Sequence, residues 1–150
     1  MDDIDRKILE LLQENGRMPL KAIAEKTFLS SPAVSARIRR LEQEQVITGY
    51  HAQVDLVKLG YPVTAWINLE VLPEDQEELY AWAAEKPNIL ECFCVTGEYP
   101  VLLRAVFRSR EELDELLGSL QRFGKTNTQT LFSTHVEPRG LSIPQSASGE

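Results

Sequence analysis

Three arginines stand close together at positions 37, 39 and 40, and residues 30–41 contain no acidic side chain. Guanidinium groups at this density bind phosphate oxygens and guanine edges, because each presents several N–H donors in one plane. The surrounding stretch, SSPAVSARIRRLEQEQ at residues 30–45, opens with serines that can cap a helix and a proline suited to its first turn. These residue types indicate a helix that contacts a polyanion, or an ordinary helix with a solvated basic face.

At about 100° per residue, this helix has two distinct sides. Val34, Ile38 and Leu41 form an apolar stripe that would face the rest of its domain. Short side chains let a helix approach the major groove of DNA, and arginines reach phosphates or bases from there. The side opposite the stripe has this character, small and polar near its start and basic further along: Pro32, Ser35, Ala36, Arg39, Arg40 and Gln43. We therefore predict that the helix reads double-stranded DNA.

The net charge of −7 does not exclude such a partner. Residues 1–50 carry eight basic and eight acidic side chains, so the whole acidic excess lies in residues 51–150. Because a polyanion responds to the local field rather than to the total charge, the candidate reading helix lies in the half that permits DNA binding.

Two more helices are predicted before the reading helix. An apolar stripe in residues 2–15 ends at Asn15-Gly16, and Pro19 opens a short second helix to about residue 26. A tight turn then leads to the Ser30 cap. Three helices with a short turn between the second and third form a helix-turn-helix domain, here residues 1–50. Residues 51–61 are predicted to form a linker strand.

The second half of the chain alternates strands and helices. The pattern predicts strands at residues 63–71, 89–96, 101–107 and 126–136, and helices at residues 74–85 and 109–123. Their order, βαββαβ, predicts a ferredoxin-like domain over residues 62–137, so the fold class is α+β. Residues 138–150 are small and polar, which predicts a disordered tail.

No catalytic residue, metal site or cofactor site is predicted. His51 and His135 are far apart in sequence, and Gly97 stands outside any glycine-rich phosphate loop. Cys92 and Cys94 have no second ligand pair and are expected to be reduced thiols. No apolar run approaches the roughly 20 residues of a membrane span, and no signal peptide opens the chain, so the expected location is the cytoplasm.

Over about residues 2–137 the sequence resembles the Lrp/AsnC family of bacterial and archaeal transcription regulators. The motifs that carry the resemblance are IDRKILELLQENGR at 4–17, LSSPAVSARIRRLEQEQVITGY at 29–50, a lone Gly60, and TGEYPVLLRA at 96–105. The last strand, with TQTLFS, and Pro62-Val63 are most similar to the short LrpC-like branch. The resemblance implies a DNA-binding N-terminal domain. It also implies a C-terminal domain that forms a homodimer, often an octamer, and often binds an amino acid or other small molecule.

The resemblance also assigns DNA-contacting residues. The reading positions would be Ser31, Ser35, Ala36, Arg39 and Arg40, and Arg17 and Lys21 would contact phosphate. Arg37 lies nearer the apolar stripe, where an ion pair with Asp5 and a base contact are both possible, the ion pair being favoured. Phe28 stands where the family commonly has glycine, and a positive φ there would cost roughly 1 kcal/mol.

An effector site would lie in the loop TGEYP and the last strand, at Gly97, Glu98, Tyr99, Thr128 and Thr130. Glu98 would face an ammonium group, while backbone donors and threonine hydroxyls would face a carboxylate. Pro100 replaces a family acidic residue, so a plain hairpin beside a Thr-rich subunit contact is the alternative.

Two other functions fit a chain of this fold. Siroheme decarboxylases resemble the same two-domain arrangement but need clustered histidines and arginines for the propionates. A small-molecule sensor with weak DNA binding is the other. The leading hypothesis remains a nucleoid-associated DNA-binding regulator, whose uncovered sheet face would pair two copies.

Overall fold

The computed structural model describes residues 1–144. The chain divides into two compact units. The helical unit comprises residues 1–53 together with residues 136–144, and the sheet unit comprises residues 54–135. The chain therefore leaves the helical unit once and returns to it.

The helical unit contains the three predicted helices: α1 (Asp3–Glu14), α2 (Leu20–Thr27) and α3 (Ser31–Gln43). Asp2 caps α1 in a reciprocal capping box with Asp5, and the Ser30 hydroxyl accepts from the Ala33 N–H at 3.3 Å at the start of α3. The apolar stripes of the three helices meet in one small core, whose buried members are Ile8, Leu11, Ile23, Ala24 and Val34. The helix-turn-helix prediction is confirmed.

The turn between α2 and α3 contains a left-handed residue. Phe28 has φ of 57° and ψ of 34°, and its side chain is 96% exposed. The Phe28 N–H donates to the Ala24 carbonyl, and the positive φ of Phe28 turns the next peptide so that the Leu29 N–H donates to the same carbonyl at 3.0 Å. This left-handed cap ends α2 and redirects the chain into α3. Because the ring gains no burial, the conformation carries strain without a packing benefit within the helical unit.

Phe28→Gly is therefore expected to stabilise the helical unit by about 1 kcal/mol, less the extra backbone entropy of glycine in the unfolded chain. Chemical denaturation followed by circular dichroism measures the change. Leu20→Gly is the matched control, since it removes an exposed apolar side chain from right-handed α2 and should destabilise. A Phe28→Gly variant less stable than the parent would contradict the strain argument.

The sheet unit contains β1 (Val63–Val71), α4 (Gln76–Ala84), β2 (Ile89–Cys94), β3 (Val101–Phe107), α5 (Arg110–Leu120) and β4 (Gly124–Thr130). The strand order is β2-β3-β1-β4, and every neighbouring pair is antiparallel. The predicted βαββαβ order is confirmed, and the fold is α+β and ferredoxin-like.

One face of the sheet is covered by helices and the other is open. Alternate residues of β1 and β3, including Ile67 and Leu103, are fully buried in a core with Leu79 of α4 and Leu120 of α5. The other face carries Trp66, Phe93, Leu102 and Arg104, with Phe93 44% exposed. On this open face, the Arg104 Nη1 lies 2.8 Å from the Glu91 Oε2 and its guanidinium 5.8 Å from the Trp66 ring centroid.

Several predicted boundaries differ from the structure, most of them by one to three residues. The larger differences concern the linker, the last strand and the tail. The linker strand expected within residues 51–61 is wrong: these residues contain no strand, and Asp55 accepts from the Lys58 N–H in a turn. The last strand ends at Thr130, which pairs with Ala65 of β1. Beyond it, one further backbone bond joins the Leu131 N–H to the Thr64 carbonyl at 2.8 Å, and regular pairing stops. The disordered tail was predicted for residues 138–150. Residues 138–144 form no helix or strand but hydrogen bond to α1, and residues 145–150 lie outside the described part.

Candidate DNA interface and ligand groove

The outward face of α3 brings together most of the predicted reading residues. Ala36 and Arg39 are exposed, while Ser31 and Ser35 are half-buried beside them. The Arg39 Nη2 donates to the Ser35 Oγ at 3.4 Å, so the guanidinium lies along the helix toward its N-terminal end. A capped helix start, short side chains and an exposed guanidinium on one face match what the major groove accepts.

Arg37 and Arg40 bind carboxylates of α1 instead. The Arg37 Nη1 lies 2.7 Å from the Asp2 Oδ2 and 2.8 Å from the Asp5 Oδ1. The Arg40 Nη2 lies 2.5 Å from the Asp5 Oδ2, and its Nε lies 3.8 Å from Glu44. Asp5 is 1% exposed, so it is a buried anion held between two guanidinium groups. The favoured ion pair of Arg37 with Asp5 is therefore present, and we call Asp2, Asp5, Arg37 and Arg40 the ionic clamp.

The ionic clamp lowers the pKa values of its carboxyl groups. The Asp5 N–H and, next, the Arg37 guanidinium lower the pKa of Asp2 to about 2. Burial raises the pKa of Asp5, but the N–H of Asp2 and the guanidinium of Arg37 outweigh it and hold that pKa below its ordinary value. Both carboxyl groups therefore stay ionised at neutral pH and hold α1 against α3.

The clamp changes the charge available to DNA. Two of the three clustered arginines are already paired, whereas no ion pair within residues 1–144 involves Arg39. Arg17 precedes α2 and Lys21 lies in its first turn, and both are exposed. The free positive charge on this unit is thus smaller than the local sequence indicated, because the acids of α1 are distant in sequence but adjacent in space.

A groove of about 670 Å³ in the sheet unit contains part of the predicted effector site. Gly97, at φ 113°, and Glu98 line it from the β2–β3 hairpin. Thr128 and Thr130 do not: they pair with Ile67 and Ala65, further along β4 than the Gly124 that lines the groove. Four residues of strand span about 13 Å. Tyr99 is half-buried and does not line the groove either.

Sequence reasoning missed the cations of this groove. Arg122 and Lys125 line it beside the acids Asp75 and Glu98. The Arg122 Nη1 also pairs with Glu78 at 3.3 Å. No motif marks these residues, since they come after α5 and only the fold brings them to the hairpin. A groove lined by both acidic and basic side chains can bind a zwitterion, which carries one group of each charge.

Residues 1–144 contain no group of three or more His, Cys, Asp and Glu side chains placed to hold a metal ion. Cys92 and Cys94 are free thiols on the edge strand β2. None of the helices in this part of the chain has the length and apolar character that crossing a membrane requires.

Comparison with known families agrees with this geometry. The profile of the AsnC-type helix-turn-helix domain matches residues 1–42, and that of the Lrp/AsnC ligand binding domain matches residues 64–141. The chain therefore belongs to the Lrp/AsnC family and is a DNA-binding transcriptional regulator of the helix-turn-helix type.

Individual relatives support the assignment along most of the chain. It is 33% identical to the HTH-type transcriptional regulator FL11 of Pyrococcus horikoshii over 146 residues, 95% of this chain and 97% of that one. It is 30% identical to the HTH-type transcriptional regulator LrpC of Bacillus subtilis over 133 residues, 89% of this chain and 92% of that one. The solved structure of B. subtilis LrpC superposes with a TM-score of 0.86 at 29% identity, covering 92% of this chain and 99% of that one. Structural neighbours are Lrp/AsnC regulators rather than siroheme decarboxylases.

Proposed function

We propose that this regulator binds double-stranded DNA as a homodimer or higher oligomer, with the outward face of α3 in the major groove. The observation that carries the proposal is Arg39, exposed and without a carboxylate partner in the described chain, on the same face as Ser31, Ser35 and Ala36. Arg17 and Lys21 would contact phosphates at the edge of the groove. Arg40, predicted as a reading residue, acts chiefly through the ionic clamp.

Assembly is proposed to use the open face of the sheet. Phe93 is 44% exposed and Val95 36% exposed, and they lie near Trp66 and Leu102 on the side that no helix covers. Exposed apolar side chains that cluster on one face favour contact with a second surface. A twofold dimer would present two α3 helices, as paired half-sites on DNA require.

Phe93→Asp is expected to convert the assembled protein to monomer, because it would bury a charge between the two sheets. Light scattering after size-exclusion chromatography measures the mass. Leu90→Asp is the matched control: Leu90 is 42% exposed on the same strand but lines a groove beside Tyr80 of α4. Assembly that survives Phe93→Asp but not Leu90→Asp would place the interface on the other side of the sheet.

The groove that Glu98 lines is proposed to hold a small-molecule effector such as an amino acid. Glu98 and Asp75 offer anions for an ammonium group, and Lys125 and Arg122 offer cations for a carboxylate. The match of this unit to a ligand binding domain supports the idea.

We further propose that the chain is not an enzyme and works in the cytoplasm, on the nucleoid. His135, exposed and hydrogen bonded to Ser133 at 3.1 Å, lines none of the grooves described here. DNA binding would bring the protein to the nucleoid.

The experiment that tests the proposed function measures binding of the full chain to the DNA upstream of its own gene and to an unrelated duplex. Both titrations are run at two salt concentrations, with and without each common L-amino acid. We expect own-DNA preference and a steep loss of affinity with salt, because phosphate contacts release counterions. Equal binding to both duplexes would indicate an architectural role, and no binding at either salt concentration would overturn the proposal.

A further inference from the structure

The end of the chain lies along α1. Gln13 Nε2 donates to the Leu141 carbonyl at 3.0 Å, and the Leu141 N–H donates back to Gln13 Oε1 at 2.9 Å. The Ile143 N–H donates to Glu10 Oε1 at 3.3 Å, and Arg6 donates to the Pro144 carbonyl. We call residues 138–144 the strap.

The side-chain amide of Gln13 replaces a neighbouring strand for the strap. It both donates to and accepts from one backbone residue, as a paired strand residue does. Glu10 and Gln13 are three residues apart, so they lie on one face of α1. Ile143 is half-buried and lines the same groove as Leu9 and Leu12. The strap thus satisfies polar backbone groups and covers apolar surface of one helix.

The helical unit has a small apolar core. Its buried cluster consists of Ile8, Leu11, Ile23, Ala24 and Val34, and Leu9 and Leu41 are buried as well. Domains of this size bury a smaller fraction of their surface on folding than larger domains do. The contacts of the strap therefore add to what the core and the ionic clamp already contribute to holding α1 in place.

The strap and the ionic clamp contact the same helix. Arg6, Glu10 and Gln13 of α1 bind the strap, and Asp2 and Asp5 at its start bind two arginines of α3. The position of α1 therefore affects the position of α3, and the strap hydrogen bonds to α1.

We propose that the α1 surface formed by Arg6, Glu10 and Gln13 is a docking site for the strap, and that docking positions α3 for DNA. The occupant is a segment of this chain, and the strap is a positioning element for DNA binding. The positioning role rests on the proposed DNA contact of α3, but docking itself does not.

Two truncations of the full chain test the proposal. The variant 1–137 lacks the strap, whereas the matched variant 1–144 keeps it and removes only residues 145–150. Native-state hydrogen exchange of the α1 amides measures docking without DNA, and titration with the duplex from upstream of the gene measures positioning. In variant 1–137 we expect exchange in α1 to be about tenfold faster, with β1 and β3 unchanged. We also expect DNA binding about fivefold weaker. Variant 1–144 should match the full chain.

A pair of glycine substitutions provides a test without truncation. A Cβ at Gly140 would lie 2.6 Å from the Gln13 Cβ, so Gly140→Ala should displace the strap and speed exchange in α1. Gly118→Ala is the matched control, because a Cβ on Gly118 of α5 would meet no other atom within 4 Å and should leave exchange in α1 unchanged.

Unchanged α1 exchange in variant 1–137 would overturn docking. Faster exchange with unchanged DNA affinity would overturn the positioning role. If the full chain binds neither duplex, the proposed function fails. The exchange measurement uses no DNA, so it still shows whether the strap docks on α1.

Discussion

Arg39→Ala is expected to weaken DNA binding by about 1–3 kcal/mol, roughly five- to 150-fold, with no loss of assembly or folding. Arg39 is the one arginine of the cluster that has no carboxylate partner within the described residues, so its guanidinium is free for DNA. Fluorescence anisotropy with the upstream duplex, repeated across a salt series, measures the loss. A shallower salt slope would indicate a phosphate contact, and relaxed sequence preference would indicate a base contact.

Two control variants decide whether the effect is local. Arg110→Ala removes an exposed arginine from α5 of the sheet unit and should bind DNA as the parent does. Arg40→Ala should act mainly on stability, since Arg40 pairs with buried Asp5. If Arg40→Ala abolished binding in a folded protein while Arg39→Ala had no effect, the reading face would be wrongly assigned.

Asp5→Ala is expected to destabilise the helical unit by about 2–3 kcal/mol. The change removes a 1%-exposed carboxylate that accepts from two guanidinium groups and from the Asp2 N–H at 2.9 Å. The loss falls below that of a fully buried pair, because the side chains of Arg37 and Arg40 remain 26% and 47% exposed. Hydrogen exchange resolved by helix measures the destabilisation. Glu25→Ala, at an exposed acid of α2, is the control.

The same variant should change the response to acid. Because the pKa values of Asp2 and Asp5 are lowered in the folded state, their stabilisation is present above the unfolded value of 3.8. It is lost as the pH falls toward 2. The parent should therefore lose helical-unit stability below about pH 4, and Asp5→Ala should lose less. An equal acid response in the two proteins would show that the clamp is not what the acid breaks.

The pattern of apolar residues was sufficient to predict the elements but not all their ends. The bounds of β1 and β3 follow directly from alternating or continuous apolar residues at 63–71 and 101–107. The end of β4 depends on how far its pairing with β1 extends, and a strand in residues 51–61 needs a pairing partner that the described chain does not supply. Both are properties of pairing rather than of the local sequence.

The candidate sites were likewise predictable where they depend on local sequence and not where they depend on long-range contacts. The face of α3 was predictable because one helix carries all of it, and the partner of Arg37 was predictable from its angle to the apolar stripe. The pairing of Arg40 with Asp5 brings together positions 35 residues apart. The groove joins the β2–β3 hairpin to the end of α5, so Arg122 and Lys125 were missed, while Thr128 and Thr130 lie outside the groove that Glu98 lines.

The return of the chain to its first helix also sets an order during synthesis. Residues 1–53 leave the ribosome first, yet their contacts with Leu141 and Ile143 can form only after all four strands of the sheet unit have been made. Domains fold largely as they emerge, N-terminal parts first. The helical unit of this regulator is therefore completed last, and a nascent or truncated chain lacks the final contacts of its DNA-binding half.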